Sequence, residues 1–134
     1  MAATYVVVTI DEIMQLIKRA FRALNPKLEE WNGRYVVTMP LSRNVRIVVH
    51  TSTSVGRGGA GADVGETAMR VGLYPKFGKT LEEGKFPIVK RTPNWRDNLR
   101  ERIEDTVREY DAEEAMWESL AQERMGQRSR YATT

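Results

Sequence analysis

The hydrophobic pattern runs at helical spacing, then alternates, then returns to helical spacing. Ile10, Ile13, Met14, Ile17, Phe21 and Leu24 recur every three or four residues, with Lys18, Arg19 and Arg22 on the other side. Thr9 supplies an N-cap, Glu12 completes a capping box, and Asn25-Pro26 ends the predicted helix. Asn32-Gly33 is a two-residue hairpin signal joining strands over 28–31 and 34–39. Further strands are predicted over 45–53, 67–74 and 86–91, separated by a glycine-rich loop over 54–65 and a second loop over 75–85. Thr92 as N-cap and Pro93 at the first helical position open a final helix. Trp95, Leu99, Ile103, Val107 and Tyr110 form its apolar stripe, and a sparser one (Met116, Trp117, Leu120, Ala121) continues to about residue 125. The expected fold class is α+β: an antiparallel four- to five-stranded sheet packed by an N-terminal helix and a long C-terminal helix. Residues 1–110 form the predicted binding domain, and residues 111–134 a helical extension with a frayed tail.

Composition narrows the chemistry. The 134 residues are 41% hydrophobic and 29% charged, the proportions of a globular chain. The absence of cysteine excludes thiolate nucleophiles, disulfides and Cys-ligated zinc, and points to the cytoplasm. His50 is the only histidine, which excludes a His cluster. No catalytic residue, metal or cofactor is expected. No apolar run approaches the ~18 residues of a membrane span. The apolar stretch from Tyr5 to Val8 lacks a basic flank and runs into Asp11 and Glu12, unlike a signal peptide. Gly56, Gly58 and Gly61 match G-x-G-x-x-G, but a strand rather than a helix is predicted next, so a dinucleotide fingerprint is not supported.

Charge and strand phase together suggest a ligand. Residues 33–100 hold twelve basic and five acidic side chains, a net +7, whereas residues 101–134 hold five basic and nine acidic. Alternation puts Arg46, Val48 and His50 on one sheet face, and sets Arg70, Gly72 and Tyr74 against the apolar row Met69, Val71, Leu73. Cations beside rings and a glycine gap suit a single nucleic-acid strand, with phosphates on the charges and bases on the rings. A plain solvated face fits the same pattern.

The order Gly65, Glu66, Ala68, Arg70, Val71 and then Arg91, Thr92, Trp95, Asn98, Leu99, Arg102 resembles the ThermoDBP family, archaeal single-stranded-DNA-binding proteins and their relatives. The resemblance covers somewhat under half the chain. It implies an antiparallel sheet backed by helices, an open basic cleft for single strands, and dimerisation through the C-terminal helix. The expected role is therefore sequence-tolerant binding of single-stranded nucleic acid, DNA favoured over RNA, without catalysis. A structural or protein-interaction component is the alternative. Arg46, Arg57, Arg70, Lys90 and Arg91 are the expected phosphate contacts, and His50, Tyr74 and Phe77 the expected lining groups. Trp95 fits either the core or the ligand face. An unbroken helix over 93–125 would be about 50 Å long at ~1.5 Å per residue, longer than a domain of this size is wide (about 36 Å), so its far end would bend back or project. Met116, Trp117, Leu120 and Ala121 would then form a homodimer interface; a turn near Asp111 would instead fold them back.

Overall fold

The computed structural model describes residues 6–31, 34–51, 68–75 and 88–132. Helix α1 spans Ile10–Ala20 and begins as its capping box requires: the Glu12 amide donates to the Thr9 hydroxyl and the Thr9 amide to the Glu12 carboxylate. It ends at Ala20, earlier than the apolar stripe suggested. Phe21 leaves helical geometry, Arg22–Leu24 form one 3₁₀ turn, and Asn25 adopts a left-handed conformation with φ 50°. A residue before proline is disfavoured in the right-handed helical region, and asparagine tolerates positive φ.

Five strands follow: β1 Lys27–Trp31, β2 Arg34–Pro40, β3 Val45–Thr51, β4 Ala68–Pro75 and β5 Ile88–Lys90. They form one antiparallel sheet in the order β1-β2-β3-β4-β5. Trp31 pairs with Arg34 across the two-residue connection, as the hairpin signal predicts. The fold is α+β.

Alternation assigns the sheet's two faces. One presents Val37 and Met39, then Val45, Ile47 and Val49, then Met69, Val71 and Leu73, and finally Val89. Ile13 and Ile17 of α1 pack into this surface, each burial contributing about 1.5–3 kcal/mol. Helix α2, Trp95–Ala112, adds Trp95, Leu99, Ile103 and Tyr110. Trp95 is therefore a core residue. The helix starts later than Thr92-Pro93 predicted: Thr92 forms a turn, its carbonyl accepting from the Trp95 amide and its hydroxyl donating to Asn94.

The long C-terminal helix is broken. Glu113 departs from helical geometry (φ −125°, ψ 30°), and α3, Glu114–Ala132, packs on β3 and β4. Ala121 is fully buried in the same core as Ile47 and Leu99. Trp117 packs against that core, Leu120 is half-buried, and only Met116, 52% accessible, faces solvent. Two expectations are thereby corrected. The helical segment after residue 110 is not an appendage to a domain ending there, because α3 shares its core through Ala121. The apolar cluster does not project into water, so the premise for dimerisation through Met116, Trp117, Leu120 and Ala121 is lost.

Candidate nucleic-acid interface

The second sheet face is assembled by the same register. Trp31 lies on β1, and Val36 and Thr38 on β2. Thr38 pairs with Val48, Arg46 with Tyr74, Val48 with Gly72 and His50 with Arg70. Lys90 of β5, paired with Ala68, completes the face. The phase relation read from the alternating pattern, with Arg46, His50, Arg70 and Tyr74 together, is the one observed.

At its centre the face is closed rather than open. Trp31, Val36, Val48 and Tyr74 form a second buried cluster. The Trp31 and Tyr74 rings meet edge to face, centroids 5.6 Å apart and planes at 70°, a geometry favoured by the ring quadrupoles. The Arg46 guanidinium lies 4.8 Å from the centre of the Trp31 ring. The Trp31 indole N–H donates to Glu29 Oε1 at 3.1 Å, and the Thr38 hydroxyl donates to Glu29 Oε2 at 2.5 Å. Burial lowers the Arg46 pKa from its ordinary value, against the opposing influence of the Glu29 carboxylate and Tyr74. An arginine nevertheless remains a cation throughout the working range of a protein.

This arrangement corrects the expected exposed lining. Tyr74 and His50 are each 2% accessible, so neither ring presents a bare stacking surface. Arg91 is also misplaced by the sequence reading. It is buried and out of phase with Lys90, and its carbonyl accepts from the Val6 amide at 2.7 Å beside the sheet edge. Arg70 and Arg46 are half-buried and Lys90 is exposed, so these three remain candidates for phosphate contact. Arg57 and Phe77 lie outside the described residues. Trp31 was not among the expected site residues. Its signal was available, because the two-residue Asn32-Gly33 connection sets it opposite Arg34 and so fixes its face.

A different polar cluster fastens α3. Ser42 Oγ donates to Glu118 at 2.8 Å, Asn44 Nδ2 at 3.2 Å and the Tyr110 hydroxyl at 3.1 Å. Ser42 Oγ in turn accepts from the amides of Asn44 and Val45. Burial pushes the Glu118 carboxyl up, but the three hydrogen bonds outweigh it and hold its pKa below the ordinary carboxylate value. Burial raises the Tyr110 phenol.

Among the described residues no group of three or more His, Cys, Asp or Glu side chains could hold a metal ion, and no helix is long and apolar enough to cross a membrane. Comparison with family models, curated proteins and solved structures returned no match.

Proposed function

We propose that the protein binds single-stranded nucleic acid, with little regard to sequence, through the cations of the second sheet face, and that its role is binding without catalysis. One observation carries this reading. Lys27 of β1, Arg46 of β3, Arg70 of β4 and Lys90 of β5 share that face, and Glu29, which bonds Trp31 and Thr38, is its one acid among the described residues. Strands are ~4.8 Å apart, so the row crosses about 19 Å from β1 to β5. The cations are staggered along their strands, and a flexible single strand can bend from one to the next over the twisted sheet. The net +7 of residues 33–100 and the resemblance to single-stranded-DNA-binding proteins support the same reading. Contact through phosphates carries no sequence information, which accounts for the tolerance. The buried rings act as a floor that orients Arg46.

The burial of Trp31 and Tyr74 favours a second reading, a face that docks a protein partner. Anisotropy of labelled single strands against salt separates the two. Four phosphate contacts at about 0.7 each give a log–log slope of about −3. Lys90→Ala reduces the slope's magnitude by roughly 0.7 with stability unchanged. A slope near zero, or equal affinity for duplex, overturns the nucleic-acid reading.

A further inference from the structure

Beside the sheet edge, where Lys90 closes the cation row, β5 and α2 enclose a groove of about 520 Å³. Its walls include Lys90 and Thr92 from the β5 end and Asn98, Glu101, Arg102 and Asp105 from α2. The four helical residues sit at i, i+3, i+4 and i+7 and form one polar stripe next to the buried stripe of Leu99, Ile103 and Tyr110. Asn98 and Arg102 are half-buried. Among the described residues the side chains of Lys90, Asn98, Glu101 and Arg102 make no hydrogen bond or ion pair, whereas Asp105 is paired with Arg108. Lys90 and Glu101 are exposed, so the polar groups of this groove are satisfied by water and are open to a ligand that takes its place.

We propose that this groove seats one unstacked nucleotide of the bound strand and prefers a base with an exocyclic amino group, cytosine or adenine, over uracil or thymine. The proposal rests on the nucleic-acid reading of the sheet face and adds a selective subsite to a tolerant path. The mixed charge is the reason. A groove for phosphate alone would not carry Glu101 and Asp105, which repel an anion. A carboxylate accepts from cytosine N4, and an asparagine amide pairs with adenine N6 and N7. Uracil and thymine present an oxygen where cytosine presents its amino group, and that oxygen meets the Glu101 carboxylate unfavourably. Lys90 and Arg102 neutralise the flanking phosphates. The base leaves the sheet face at its edge, because the centre of that face is closed by Trp31 and Tyr74.

Oligo(dC) and oligo(dU) of equal length carry equal charge and differ only in the base edge. Anisotropy titrations of the full chain above neutral pH, where cytosine is unprotonated, are expected to show oligo(dC) binding about tenfold tighter. Glu101→Gln presents an amide that can donate to uracil O4, so the ratio falls towards one; thermal melting verifies that this exposed substitution leaves the fold intact. Equal affinity of the native chain for both polymers overturns the subsite and leaves the sheet-face reading standing. A ratio unchanged in the Glu101→Gln protein also overturns it. Failure to bind either polymer overturns the nucleic-acid reading itself.

Discussion

Trp31 is held by the Arg46 cation over its ring, the Tyr74 ring at its edge, and Glu29 on its indole nitrogen. The edge-to-face pair contributes about 0.5–1.5 kcal/mol beyond the area buried. Tyr74→Ala removes that pair and leaves a hole in a closed cluster. It is expected to destabilise the fold by about 3–5 kcal/mol, read from urea unfolding. Loss of binding with full stability would show that the ring faces a ligand after all. Strand phase made the grouping of Arg46, His50, Arg70 and Tyr74 legible, because successive side chains must point to opposite faces. Phase does not say what covers a face, so the burial of His50 and Tyr74 was not legible. Arg91 misled for the same reason: alternation sets it opposite Lys90 but does not say that it is buried, just beyond the end of β5.

Helix α3 is positioned by groups far away in sequence. Ala112, Glu113 and Glu114 include neither glycine nor proline, and the one local sign, Asp111 interrupting the apolar stripe, lies two residues before the break. The break follows from what α3 gains by turning: burial of Ala121 and the bonds from Ser42, Asn44 and Tyr110 to Glu118. Partners separated by 74 and 76 positions leave no motif, so this clasp was invisible in the sequence, whereas the capping box of α1 lies within four consecutive residues and was legible. The clasp sets a pH dependence. Because the Glu118 pKa is depressed in the fold, its contribution is complete above the ordinary carboxylate range and is lost as pH falls through the folded value. Hydrogen exchange of α3 amides is expected to accelerate selectively on acidification. Glu118→Ala should cost about 1–3 kcal/mol near neutral pH and abolish that selective acceleration. Uniform acceleration across α2 and α3 would show that the clasp does not act on α3 alone. Among the described residues the Trp117 indole nitrogen has no hydrogen-bond partner, a cost that offsets part of the docking.

Across the whole molecule all three helices cover one sheet face, and α3 is the last layer placed. Truncation after Glu113 would uncover core around Leu99 and Ile47, lowering stability by about 3 kcal/mol for the lost burial of Trp117 and Leu120. The uncovered apolar surface should increase self-association in sedimentation. A dimer held by the C-terminal helix would respond in the opposite way, dissociating on truncation. The strict order of the sheet also has a consequence in time. Each strand pairs with its immediate predecessor, so the growing meander never waits for a later segment to supply a missing neighbour. Such local pairings close before distant ones, because loop closure costs entropy in advance of any contact. The Ser42–Glu118 bond spans 76 positions and belongs to the late steps. Glu118→Ala should therefore steepen the loss of the native state, raising the unfolding rate while leaving the refolding arm of the chevron in place. A displaced refolding arm would put α3 in the nucleus. Otherwise a chain leaving the ribosome can complete its sheet, strand by strand, before the residues that lock it have emerged.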